Sequence, residues 1–174
     1  MKKLLFVAGS LRSASASKAT VRALISRLGD DIQPVIADIG ALPLYNADLA
    51  EDSNVSRWKD QIAAADGLVL VTPDYNYSVP GVLKNAIDWA SRPAFESVFK
   101  HKKCFVMSIS GGALGGVRAQ AHLKYILNGM LAEVHTCKEV VVAHANAKIE
   151  QGMLNDEAVL AFAEDNIRDF VDSL

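Results

Sequence analysis

Long apolar runs are missing from this 174-residue chain, and none approaches the roughly 18 residues that a membrane-spanning helix needs. An excess of one charge is missing too. Lys and Arg number 18 against 20 Asp and Glu, a net charge of -2, so no basic field draws nucleic acid or an anionic lipid surface. Only two cysteines occur, Cys104 and Cys137, in apolar surroundings without metal-ligand spacing. Both are expected to be buried, reduced thiols of a cytoplasmic protein. His101, His122, His135 and His144 share no ligand spacing either, so no metal site is expected. The sequence has no Gly-x4-Gly-Lys-Ser of a Walker loop and no Gly-x-Gly-x-x-Gly of a dinucleotide fold. Repeats, linkers and low-complexity segments are also lacking. Residues 1–9 have a cationic start and an apolar continuation, as a secretory leader does. Their apolar part is very short and runs into glycine and arginine, so they read as a first strand.

What is present is a chain with 51% hydrophobic and 22% charged residues, the balance of a soluble globular protein. Its length suits one domain over residues 1–174. Short branched apolar runs at 4–8, 67–71 and 104–109 predict strands buried on both faces, and 33–39 and 131–142 predict two more, the last interrupted near Lys138. Between them, apolar stripes at helical spacing predict helices: Val21, Leu24, Ile25 and Leu28; Val55, Trp58, Ile62 and Ala65; Val82, Leu83, Ala86, Ile87 and Ala90; Ala119, Leu123, Ile126, Leu127 and Met130; and Val159, Phe162, Ile167 and Phe170. Ser53 or Asn54 is expected to cap the second helix after a loop over 41–52, Pro80 to open the third, and Asn155 or Asp156 to start the last. Alternation of this kind predicts an α/β fold with helices on both faces of a five-stranded parallel sheet. In the order 2-1-3-4-5, the carboxyl ends of the first, third and fourth strands lie side by side.

Those three strand ends carry the unusual loops of the chain. The first supplies Ser10, Arg12, Ser15 and Ser17 at a helix start, where free N–H groups, hydroxyls and one guanidinium suit a phosphate dianion. Read alone, the same serines could simply cap the helix. The second loop, 73–78, offers two aromatics and an amide to a flat heterocycle with polar edges. The third, 110–116, is so poor in side chains that a ring or another backbone can approach closely.

Gly9-Ser-Leu-Arg12 with the following serines, Pro73-Asp-Tyr-Asn-Tyr-Ser-Val-Pro-Gly-Val-Leu-Lys-Asn-Ala-Ile-Asp-Trp-Ala-Ser-Arg92, and Ser110-Gly-Gly-Ala-Leu-Gly-Gly116 followed by Ala119-Gln120 resemble the NAD(P)H-dependent FMN reductase family, which includes bacterial quinone and chromate reductases. The resemblance covers most of the chain in matching order. It implies a flavodoxin-like three-layer sandwich, bound FMN, NAD(P)H as co-substrate and a homodimer or homotetramer. By position, Ser10, Arg12, Ser15 and Ser17 would hold the FMN phosphate. Pro73, Asp74, Tyr75, Asn76 and Tyr77 would line the isoalloxazine and ribityl chain, and Ser110, Gly111, Gly112 and Gly115 the far side. Asp74 stands where the family often has Glu, Tyr77 where it has a small or basic residue, and Ser17 where Asn is common.

The activity this implies is ping-pong transfer of a hydride from the nicotinamide to FMN N5. An acceptor such as a quinone, free flavin, azo compound or chromate would then be reduced, with no catalytic side chain required. Two other readings compete. One is a flavodoxin-type carrier without nicotinamide oxidation, for which a charge of -2 is weakly acidic; the other is a non-flavin phospholigand domain, against which the aromatic second loop argues. Trp58 and Trp89 read as packing residues, with a subunit interface as the alternative for Trp89. Lys84, Asp88 and Arg92 read as an ion-paired helix face, or as an intersubunit pair where the resemblance places this helix near subunit contacts.

Overall fold

A computed structural model describes residues 1–49 and 52–174. The apolar runs form parallel strands β1 (Lys2–Ala8), β2 (Ile32–Ile36), β3 (Gly67–Pro73), β4 (Lys103–Ile109), β5 (Glu133–Val134) and β6 (Val141–Val142). They alternate with helices α1 (Ala16–Arg27), α2 (Ser53–Ala64), α3 (Gly81–Ala90) and α4 (Val117–Gly129). A 3-10 turn (Ala145–Lys148) and a hairpin, β7 (Ile149–Glu150) with β8 (Met153–Leu154), precede α5 (Glu157–Asp172). The sheet order is β2-β1-β3-β4-β5, with β6 also paired to β4, which is the flavodoxin-like arrangement expected.

Strand side chains alternate between two buried layers, as the two-residue period of a strand requires. Leu4, Phe6, Val69, Val71, Phe105 and Met107 face α1 and α5. Leu5, Val7, Leu68, Leu70, Cys104 and Val106 face α2, α3 and α4. Trp58 is buried and donates its indole N–H to the Ala86 carbonyl at 2.8 Å, tying α2 to α3. Trp89 donates to Pro43 O at 2.7 Å and meets Tyr45 edge-on at 5.0 Å. Both tryptophans therefore pack, as expected.

Several expectations need correction. Asp52, rather than Ser53 or Asn54, caps α2, accepting from the Asn54 and Val55 N–H groups at 2.8 and 3.3 Å. The loop expected over 41–52 includes residues 50 and 51, which lie outside the described residues. Pro80 is the N-cap of α3 and Gly81 its first residue. β2 stops at Ile36, three residues early. The fifth strand is interrupted across Lys138 as expected, but it is reduced to two-residue pieces that pair with opposite ends of β4. Cys104 is buried, and burial pushes its thiol up to about 12; Cys137 is only half-buried, although partial burial raises it too. Phe162 is exposed on α5. On α3, Lys84 pairs with Asp88 at 2.7 Å, whereas Arg92 leaves that row and donates to Tyr45 Oη at 3.1 Å.

None of the described helices is long and apolar enough to cross a membrane, and no group of His, Cys, Asp or Glu among the described residues could hold a metal. Glu164 of α5 links the helices on one face. It accepts from Arg27 Nε at 2.9 Å and from Arg168 Nη2 at 3.3 Å, and these bonds hold its carboxyl below the ordinary 4.5. A carboxyl depressed on folding stabilises the native state above its unfolded value, and that contribution drains as pH falls through the folded value. Glu164→Gln is expected to lower the urea midpoint at neutral pH, with the gap to the parent closing below a pH of about 4. Gly129, the last residue of α4, has open space where a Cβ would stand. Gly129→Ala should raise the urea midpoint by the equivalent of about 0.4–1 kcal/mol, because it restricts the unfolded chain.

Candidate functional site

The site lies at the carboxyl ends of β1, β3 and β4. β1 ends in Gly9, whose N–H donates to Val71 O at 2.9 Å. A Cβ there would lie 2.9 Å from Pro73 Cδ, so glycine lets the first loop run against the end of β3. Ser15 caps α1, and its Oγ lies 2.7 Å from Ser17 Oγ. Ser10, Ser15 and Ser17 are all buried, while Arg12 is exposed. Buried hydroxyls next to first-turn N–H groups that have no helical acceptor form a donor set suited to an anion.

The second loop is a tight reversal. Tyr75 and Ser78 exchange backbone hydrogen bonds at 3.1 and 3.2 Å, and Asn76 and Tyr77 between them have φ of 52° and 67°. Positive φ at both central residues marks a type I′ turn, for which asparagine is well suited and tyrosine is not. Tyr77 is held there by Arg118, whose guanidinium carbon lies 4.8 Å from the ring centre. Ser78 Oγ meets His122 Nδ1 at 2.9 Å, so two α4 side chains one turn apart pin the loop. Tyr75 Oη is 2.8 Å from Ser10 Oγ, linking the second loop to the first.

In the third loop, Ser110 Oγ accepts from the Gly112 N–H at 3.2 Å. The loop is bound to the segment after β6: Ala145 N donates to Ser110 O at 3.0 Å and His144 N to Gly112 O at 3.2 Å. Gly115, at φ 56°, packs against β6, where a Cβ would lie 2.3 Å from Val141 Cγ1. Behind the loop, the buried Gln120 amide donates to Val106 O at 3.0 Å and Val140 O at 3.4 Å.

Of the residues expected from the sequence, Ser10, Arg12, Ser15, Ser17, Pro73, Asp74, Tyr75, Ser110 and Gly111 line one recess of about 100 Å³. Asn76, Tyr77, Gly112 and Gly115 fall outside its lining, Gly115 being turned toward Val141. Three lining residues were not among those expected: Ala16, Ile109 and Asn146, the last of which is polar. Asn146 enters from the 3-10 turn, and its Nδ2 would lie 2.9 Å from a Cβ on Gly111. A lone asparagine beyond an edge strand carries no sequence signal of that placement.

Residues 2–147 match the family model described as NADPH-dependent FMN reductase. The chain belongs to this family. It is 43% identical over 161 residues to an NAD(P)H-dependent FMN reductase of Pseudomonas aeruginosa, covering 89% of this chain and 85% of that one. It is also 43% identical over 150 residues to a 2-hydroxy-1,4-benzoquinone reductase of a Burkholderia species, covering 85% and 82%. Among solved structures, the flavoenzyme NAD(P)H:(acceptor) oxidoreductase FerB of Paracoccus denitrificans superposes with a TM-score of 0.87 at 34% identity, covering 99% of this chain and 96% of that one. This FMN reductase family member is thus an oxidoreductase with FMN as cofactor and NAD(P)H as co-substrate. The donor set of the recess fits the phosphate end of that cofactor: three buried hydroxyls, a helix N-terminus and a guanidinium.

Proposed function

We propose that residues 1–174 act as one flavodoxin-like FMN-binding domain, in which Ser10, Arg12, Ser15 and Ser17 hold the FMN phosphate. The recess is far smaller than a whole flavin nucleotide, so the isoalloxazine would rest at its rim, against 73–77 on one side and 110–112 on the other. Asp74 and Tyr75 would receive ribityl hydroxyls. Backbone N–H groups of Asn76, Tyr77 and Gly111 would stabilise negative charge on the ring, as preorganised donors do. The Gly112 N–H is already committed to Ser110 Oγ and adds nothing there. Bound FMN would supply the redox chemistry, taking a hydride from NAD(P)H and passing it to an acceptor in ping-pong fashion. The protein would contribute position and polarity, without a side-chain acid or base.

A small quinone is the acceptor class favoured by the benzoquinone reductase relative, with free flavin, azo compounds and chromate as further oxidants. A cytoplasmic homodimer or homotetramer would complete the open rim. In support, Arg118, His122 and the 81%-exposed Tyr125 share one α4 face, next to the exposed Tyr77 and Leu114.

The observation that carries this reading is the meeting of three strand-end loops in one recess. Purified protein, reconstituted with FMN, should show a flavin spectrum that bleaches on anaerobic mixing with NADH or NADPH and returns on addition of benzoquinone. A bound flavin that neither nucleotide bleaches would leave the electron-carrier reading instead. Protein that binds no FMN would defeat both.

A further inference from the structure

A second recess, of about 310 Å³, lies at the carboxyl ends of β1 and β2, on the other side of the first loop. Its apolar walls include Ala8, Val21, Ile36 and Ile39. Leu11 leans over it from the first loop; Gly40 permits this, since a Cβ there would lie 2.8 Å from Leu11 Cδ2. Its polar lining residues are Ser10, Lys18, Arg22 and Asp38. Lys18 and Arg22, one turn apart on α1, contribute two cations; Lys18 Nζ donates to Leu11 O at 3.1 Å, and Arg22 donates to Gly152 O through Nε at 3.0 Å and Nη2 at 2.5 Å. Each keeps further donors. Asp38, just past β2, accepts from Gly40 N through Oδ1 at 3.1 Å and retains Oδ2. Ser10 lines this recess and the phosphate recess alike, so the two adjoin across one residue.

We propose that this cleft is the adenylate subsite for NAD(P)H, an inference that rests on the reductase reading above. Apolar walls accept a purine. The lysine and arginine on its helical wall accept a phosphate, and a carboxylate at the end of the second strand accepts ribose hydroxyls, as it does in doubly wound dinucleotide folds. Its volume sits at the lower end of the roughly 300–1,000 Å³ typical of small-molecule sites, fitting a nucleoside better than a whole dinucleotide. A neutral quinone would have no use for paired cations. The sheet order supplies the reach: from the β2/β1 boundary to the β3/β4 boundary is two strand spacings, roughly 10 Å, which an extended dinucleotide can span. The adenylate would thus lie on one side of the FMN phosphate and the nicotinamide on the other.

Ile36 is 54% exposed, so Ile36→Glu can place a charge in the cleft without disturbing the core; the FMN content of the variant checks this. Calorimetric titration of the FMN-loaded protein with AMP should show saturable binding in the parent and none in Ile36→Glu. The Michaelis constants for NADH and NADPH should rise about tenfold in the variant, as expected when binding shared by ground and transition states is lost. Those for benzoquinone and for reduced nicotinamide mononucleotide, which has no adenylate, should not move. AMP that gives no saturable heat, or binds parent and variant equally, overturns the subsite, as does an unmoved NAD(P)H Michaelis constant in an enzyme that turns over normally. A flavin-loaded parent that oxidises neither nucleotide defeats the reductase reading itself, whatever AMP does.

Discussion

Gly115→Ala is expected to cost roughly 2–4 kcal/mol of folding stability, combining overpacking with an unfavourable left-handed backbone. The added methyl would lie 2.3 Å from Val141 Cγ1, 2.9 Å from Ala143 N and 3.0 Å from Val142 C, and two of those three atoms are backbone. Backbone cannot rotate aside as a side-chain tip can, so either β6 or the 110–116 loop must shift. Both outcomes reach the cleft, because Ala145 and His144 bind the Ser110 and Gly112 carbonyls and Asn146 lines the recess. FMN affinity should therefore fall together with the urea midpoint. Equilibrium unfolding and a flavin fluorescence titration on the same preparation check the pair. A variant as stable as the parent would show that the chain passes this point without the close approach described.

Arg12→Ala should act on the cofactor alone. Arg12 is exposed and lines the recess, so removing it leaves the core untouched. A hydrogen bond to a charged group contributes about 1.5–3 kcal/mol, which corresponds to a loss of FMN affinity of about 10- to 150-fold. The urea midpoint of the FMN-free protein should match that of the parent. The loss should shrink at high salt, since an exposed cation is screened. If equilibrium dialysis finds equal FMN affinity in parent and variant, the phosphate is held by the serines and the α1 N-terminus without this guanidinium.

The layering and the strand order could be read from the sequence because the central strands are buried on both faces, and a short unbroken apolar run has few alternatives. The convergence of the three loops follows from that order. The edges were harder to read. β5 and β6 have two residues each, too few for alternation to register, and the polar stretch between them holds Thr136, Lys138 and Glu139. Asp52, Ser53 and Asn54 are three consecutive good caps, and only the path of the chain into α2 selects the first. The hairpin of β7 and β8 turns on Gln151-Gly152, at φ of 47° and 75°, where glutamine lacks the turn preference of asparagine or aspartate. Asn146 depends on all of this irregular edge being placed correctly.

The divided outer edge of the sheet also has a practical use. β5 pairs with Lys103 and Cys104, β6 with Ser108 and Ile109, and the bend between them carries the exposed Lys138 at the margin opposite β2. Chain inserted at that bend would interrupt no ladder and cover none of the residues around either recess, so an affinity handle or an electrode-binding peptide could be spliced there to wire the molecule to a conducting surface.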